Sequence, residues 1–279
     1  MDVVGMEREY QLARAALSKR QPILLYGFTG NGKTLLAWKL ASEMKQANPN
    51  TPIIYLQLYP EMTKNSLIGG ETIKNGSIVV EEQALLKFGT KAEGAIFIID
   101  ECTHTTEPVL LSFNSLIEEP FSTVVGDKIY KLSENTRFIF CGNLPDHAGN
   151  INLPISFANR LFIVKTDMPS KENLCKIGKM ANTETPDELL DYVAKIILET
   201  HEAAFPISPR NIVTFSKTLD TIYKTGYKAN KTLPKAIERA CKQNDINLDL
   251  LKQIIMSSLM AYISVKTQGP DKVRAMLWD

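Results

Sequence analysis

The sequence predicts an α/β fold: a doubly wound, five-stranded parallel sheet with two β-hairpin insertions, followed by a small all-helical domain. Three observations carry this reading. Short apolar runs of strand length alternate with helical patterns up to residue 168. One run, Pro22-Ile23-Leu24-Leu25-Tyr26, leads straight into a glycine-rich segment and then a helix. Beyond Asp167-Met168-Pro169-Ser170 the strand-like runs stop. That change places a domain boundary near Pro169 and gives domains 1–168 and 169–265 with a tail, 266–279.

Taken in order, Glu7 to Lys19 reads as a leading helix, with Tyr10, Leu12, Ala15 and Leu17 as its inward residues. Pro22 to Tyr26 is the first strand, and Leu35 to Met44 lies in the helix after it. Pro52 to Leu58 is the second strand. Ala95 to Ile99 is the third, apolar throughout, as a central parallel strand covered on both faces should be. Arg137 to Cys141 is the fourth, expected beside the first, and Leu161 to Val164 is the fifth. Two hairpins interrupt the alternation. Ile73 to Val80 turns at Asn75-Gly76, the strongest short hairpin signal, and Thr123 to Tyr130 folds back around Gly126-Asp127. Between them Pro108 opens a helix whose Val109, Leu110, Phe113, Leu116 and Ile117 make one apolar stripe, ended by Glu118-Glu119-Pro120. From Lys171 to about Val265 the patterns are helical only.

Composition bounds the function. An apolar share of 44% is enough for a packed core and excludes a disordered chain. A net charge of +1 supplies no global basic field for nucleic acid, while leaving a local patch open. Cys102, Cys141, Cys175 and Cys241 form no C-x-x-C pair and read as the reduced thiols of a cytoplasmic protein. Cys102 and His104 alone are too few for a zinc site. Met1 to Gly5 lacks the basic and apolar regions of a secretory leader, and no apolar run approaches bilayer length, so no membrane partner is expected.

The chemistry centres on Gly27-Phe28-Thr29-Gly30-Asn31-Gly32-Lys33-Thr34, which fits G-x-x-x-x-G-K-[ST], the phosphate-binding P-loop. Strand, glycine loop and helix is the context that motif requires. Backbone N–H groups of the loop can wrap a β-phosphate, and the helix N-terminus adds its positive dipole end. Lys33 would reach the β- and γ-phosphates, and the Thr34 hydroxyl would ligate Mg²⁺. The third strand ends in Asp100-Glu101, two acids at the C-terminal sheet edge where open α/β sheets bind ligands. Asp100 would hold Mg²⁺ through its water shell, and Glu101 would act as general base on the attacking water. Asn143, after the fourth strand, would stand near the γ-phosphate and help orient that water. Arginine is scarce, eight against 24 lysines. Arg160, before the fifth strand, and Arg210, in Ser208-Pro209-Arg210, stand where a planar, permanently charged fork could serve phosphate chemistry.

Together these residues resemble the AAA+ ATPases, and more narrowly the MoxR group with its NorQ/CbbQ-like relatives, the type with a helix-2 insertion. The similarity runs from about Gly5 to Arg210 and rests on the P-loop, Asp100-Glu101, Gly142-Asn143, Asn159-Arg160-Leu161-Phe162, Ser208-Pro209-Arg210 and the two hairpins. The resemblance implies a P-loop NTPase sheet with a helical lid domain. It implies Walker A roles for Lys33 and Thr34, Walker B roles for Asp100 and Glu101, and the sensor 1 role for Asn143. Arg160 would be an arginine finger acting on a neighbour's ATP, and Arg210 would be sensor 2. Gly27, Phe28, Thr29, Gly30, Asn31, Gly32, Lys33, Thr34, Leu35 and Asp100 would contact the nucleotide, with Thr34 and Asp100 on the metal. Two departures stand out. Asn143-Leu144-Pro145 replaces the usual Asn-Pro, and Cys102-Thr103-His104 replaces the hydrophobic and polar residues common after the acids.

Three functions follow as expectations. The first is a hexameric, ring-forming Mg²⁺-dependent ATPase that remodels or activates a protein partner, for which the resemblance suggests a von Willebrand factor A-domain protein. The alternative is a motor or loader acting on nucleic acid, with Lys74, Lys128 and Lys131 on or beside the hairpins. The third is an ATP-gated scaffold that barely turns over, against which an intact Glu101 argues.

Overall fold

The computed structural model describes residues 3–144, 151–181, 183, 185, 187–202 and 208–224. The chain divides into two compact units, residues 1–167 and 168–279.

In the first unit the order is α1 (Glu7–Ser18), β1 (Ile23–Gly27), α2 (Lys33–Ala47), β2 (Ile53–Gln57), α3 (Lys64–Leu67), β3 (Gly69–Lys74), β4 (Ser77–Glu82), α4 (Ala84–Gly89) and β5 (Ile96–Asp100). It continues through α5 (Glu107–Leu111), α6 (Asn114–Ile117), β6 (Ser122–Val125), β7 (Lys128–Lys131), β8 (Arg137–Asn143), α7 (Ile155–Ala158) and β9 (Phe162–Thr166). Five strands form one parallel sheet in the order β2-β5-β8-β1-β9. The fold class is therefore the expected one, and the fourth core strand, β8, does lie beside the first.

Alternation along each strand sorts the core into two layers. Leu24, Phe97, Ile99, Phe138 and Phe140 face one side, where α4, α5, α6 and α7 contribute Leu85, Leu86, Leu110, Leu116 and Phe157. Ile23, Leu25, Ile98, Ile139 and Val164 face the other, under α1 and α2. The inward face of α1 differs from expectation. Ala13, Ala16 and Leu17 are buried with Met6, while Leu12 is 41% exposed and Ala15 is also exposed. The stripe runs 6-10-13-17, so Tyr10 joins it and Leu12 falls a third of a turn off.

The helix expected after Pro108 is broken. The Ser112 N–H donates to both Pro108 O and Val109 O, and the tight turn that results separates α5 from α6. All five stripe residues are still buried. The break seats Phe113 edge-on against Phe140, with ring centroids 5.2 Å apart.

Both hairpins form in the expected register, Ile73 opposite Ile78 and Val124 opposite Ile129. These four apolar side chains are all exposed.

The second unit contains α8 (Lys171–Ala181), α9 (Asp187–Glu202) and α10 (Arg210–Lys224). Leu174, Leu190, Ala194, Ile197, Ile212 and Phe215 are buried within it. The helical stretch expected to Val265, the tail 266–279 and Pro145 lie partly or wholly outside the described residues. No described helix is long and apolar enough to cross a membrane.

Candidate functional site

The loop Gly27–Thr34 joins the C-terminal end of β1 to the first turn of α2. Gly32 caps α2 with φ of +84°, a left-handed conformation that side chains rarely adopt, and Leu36 N–H donates back to Gly32 O at 2.9 Å. Gly27 is required for a different reason. A Cβ there would fall 2.2 Å from Thr166 Oγ1 and 2.4 Å from Thr166 O on the adjoining strand β9. Asn31 is buried and ties the loop to β9, its amide donating to Asp167 O at 3.1 Å and weakly to Thr166 O at 3.4 Å. Among the described residues its carbonyl oxygen Oδ1 is buried without a hydrogen-bond partner.

Lys33 lies inside the loop, donating to Gly27 O at 3.0 Å and Phe28 O at 2.7 Å. Burial lowers the pKa of its amine, against the opposing pull of surrounding groups that include Glu101 and Asp100. An amine hydrogen-bonded to neutral carbonyls and under desolvation has a strong electrostatic reason to accept an anionic ligand.

The acids stand at the end of β5. Asp100 Oδ2 accepts from Thr34 Oγ1 at 2.9 Å and from the Tyr55 hydroxyl at 3.0 Å, while Oδ1 accepts from Glu101 N–H at 2.9 Å. Glu101 has φ of +54°, in the left-handed region, so the chain turns sharply immediately after the strand. Asn143 ends β8 opposite Gly27, and its side-chain amide donates to Glu101 Oε2 at 2.9 Å. Its backbone N–H is anchored on Thr103 Oγ1 at 2.9 Å, and Cys102 N–H donates to Cys141 O at 2.9 Å. Burial pushes the thiols of Cys102 and Cys141 up, which keeps them protonated and inert. Burial, with Asp100 second, raises the Tyr55 phenol to about 12, so it is a standing hydrogen-bond donor.

Thr34, Asp100, Glu101 and Asn143 are thus brought together across three chain segments, with Lys33 in the loop beside them. Arg160 is held elsewhere in the first unit, its Nε on Glu118 Oε2 and its Nη1 on Ser156 O. Arg210 opens α10 in the second unit; it is exposed, and its backbone N–H bonds Ser208 Oγ. Three contributors were not expected from the sequence: Tyr55, Thr103 and the Asn31 tether. Each is a polar side chain on a segment remote in sequence from its partner, and only strand order brings the pairs together.

The donor set suits a magnesium-bound polyphosphate. A hydroxyl and a carboxylate share one hydrogen bond, and both are hard oxygen ligands. Among the described residues no group of three or more His, Cys, Asp or Glu could hold a metal alone.

Comparison with known proteins agrees with this geometry. Residues 22–160 match the model of the AAA domain, dynein-related subfamily. The chromosomal replication initiator protein DnaA of Thermosipho melanesiensis is 32% identical over 184 residues, 63% of this chain and 37% of that protein. Midasin of Giardia intestinalis is 27% identical over 181 residues, 64% of this chain and 4% of that protein. The chain therefore spans well under half the length of these relatives. A RuvB variant of Thermotoga maritima superposes with a TM-score of 0.55 at 17% identity, covering 99% of this chain and 86% of that one, a likeness of fold. Over residues 22–160, this chain is an AAA domain of the dynein-related subfamily.

Proposed function

We propose that this protein is a ring-forming, Mg²⁺-dependent ATPase of MoxR-like type that remodels or activates a protein partner. The observation that carries the hydrolytic part is the Asn143 to Glu101 hydrogen bond, formed next to a carboxylate already held by Thr34. A general base needs a fixed position more than an unusual pKa, and the bond supplies one.

The loop N–H groups bind the β-phosphate, and Lys33 exchanges the Gly27 and Phe28 carbonyls for β- and γ-phosphate oxygens. Thr34 and Asp100 would hold Mg²⁺, which would supply positive charge against that developing on the phosphates. Glu101 takes the proton of the attacking water, and Asn143 keeps that carboxylate aimed. Arg160 completes the site of a neighbouring subunit, so the active form is an assembly built by a repeating head-to-tail contact. Arg210 reports the nucleotide state.

A protein partner is supported by the hairpins. Their exposed cross-strand pairs are Ile73 with Ile78 and Val124 with Ile129. On the first hairpin Lys74 is ion-paired with Glu81 at 3.5 Å, and Glu71 and Glu82 leave that strand pair net acidic. The exposed apolar pairs and the acidic base of the first hairpin suit polypeptide better than phosphodiester, while Lys128 and Lys131 against Asp127 leave the second hairpin net basic. The likeness to a replication initiator favours the second reading, action on nucleic acid.

Sizing the purified protein with and without Mg·ATP, then assaying phosphate release with and without single- and double-stranded DNA, tests both. Nucleotide-dependent assembly with no response to DNA is expected. Strong, salt-sensitive stimulation by DNA would replace the first reading with the second.

A further inference from the structure

Tyr55 has no part in the roles assigned so far, yet among the described residues it makes one of the three hydrogen bonds that fix the Asp100 carboxylate. It lies on β2, the outer strand next to β5, in register with Ile98, while Asp100 is in register with Gln57. Ile98 and Asp100 share one face of their strand, as Tyr55 and Gln57 share one face of theirs. The phenol therefore reaches Asp100 diagonally, toward the C-terminal edge of the sheet. The residue is 40% exposed, and burial alone would not hold its ring still. Trp38 does so, stacking on it with centroids 6.0 Å apart and planes 19° from parallel. Trp38 is one helical turn after Thr34 on α2, so the residue that steadies Tyr55 shares a helix face with the hydroxyl that meets Asp100.

We propose that Tyr55 is a positioning residue for magnesium: its hydroxyl, braced by Trp38, sets the orientation in which Asp100 presents its carboxylate to the metal of a bound nucleotide. This rests on the reading of the loop as a Mg·nucleotide site. Thr34 can offer a hydroxyl lone pair to the metal while its O–H still donates to Asp100 Oδ2, and the Tyr55 hydroxyl is the second donor that keeps this oxygen from rotating. Partners of metal-holding groups are worth about 10–100-fold in metal affinity in well-studied sites.

The test is calorimetric titration of ADP into the full chain, in EDTA and across a range of Mg²⁺. Tyr55→Phe removes the hydroxyl and keeps the stacked ring. Its ADP affinity in EDTA is expected to equal that of the wild type, while the Mg²⁺ concentration for half of the metal-dependent gain rises about tenfold. Trp38→Leu, which keeps the hydroxyl but frees the ring, is expected to shift the same midpoint part of the way. An unchanged magnesium midpoint in both variants, or an equal loss of affinity with and without the metal, overturns the inference. A wild-type protein that binds ADP identically in EDTA and Mg²⁺ overturns the reading of the site itself, so the two failures are told apart.

Discussion

Asn143→Ala is the substitution whose effect can be worked most fully from the geometry. Asn143 makes two separable bonds. Its backbone N–H to Thr103 Oγ1 survives truncation to Ala, whereas the amide that donates to Glu101 Oε2 at 2.9 Å is lost. The backbone around Glu101 keeps its own restraints, because Glu101 N–H donates to Asp100 Oδ1 and His104 N–H donates to Glu101 O at 2.8 Å. The change therefore removes one hydrogen bond from the Glu101 carboxylate and leaves the turn intact. A hydrogen bond to a charged group is worth about 1.5–3 kcal/mol. If that energy holds the base in its productive orientation, its loss lowers kcat by roughly 10- to 150-fold. The nucleotide-binding loop is untouched, so affinity for Mg·ATP is expected to stay within about twofold. Asn143→Asp should fall further than the Ala variant, because it sets a second carboxylate against Glu101. Steady-state phosphate release at saturating Mg·ATP reads the first effect and calorimetry the second. An Asn143→Ala protein that turns over at the wild-type rate, or that loses affinity in proportion to rate, would refute the role derived for this bond.

Two other outcomes are expected. Gly27→Ala drives a methyl group into Thr166 on the neighbouring strand, at a cost of about 1–3 kcal/mol, and should lower Tm by roughly 2–12 °C; an unchanged melting curve would mean the β1–β9 contact is looser than described. Arg160→Ala should leave ATP binding intact and depress turnover. Mixing it with Glu101→Gln subunits should restore part of the activity, since a mixed contact can pair a competent finger with a competent base; co-assembled but inactive mixtures would argue against action across subunits.

Much of this site could be read in the sequence because its groups are close together in the chain. Loop, lysine and threonine form one run, and the two acids directly follow four apolar residues. The strands themselves were legible as apolar runs, but four of the five end later than hydropathy indicates. Gly27, Asp100, Asn143 and Thr166 each occupy the end of a strand. The parallel hydrogen-bond ladder extends through these positions irrespective of side-chain polarity, and three of the four are residues assigned to the site. Leu12 and Ala15 were misjudged for a simpler reason: a 12-residue helix offers more than one approximate apolar stripe, and contact with α2 and the sheet selects one. Tyr55 could not have been assigned at all. Nothing in Ile53-Ile54-Tyr55-Leu56-Gln57 states that β2 borders β5, and without that neighbour the tyrosine is only a half-exposed aromatic on a strand. The Ser112-Phe113 break was equally hidden, since the apolar spacing on either side is compatible with one continuous helix.

The central claim is that a nucleoside triphosphate is clasped by Gly27–Thr34 and cleaved with Glu101 as base. Glu101→Gln tests it most directly, because the amide keeps the size of the side chain and removes its basicity. Mg·ATP should bind this variant with wild-type affinity while single-turnover phosphate release falls by about 10²–10⁴-fold, the usual contribution of a general base. Equal cleavage rates in the two proteins, or failure of the wild type to bind Mg·ATP, would contradict the claim.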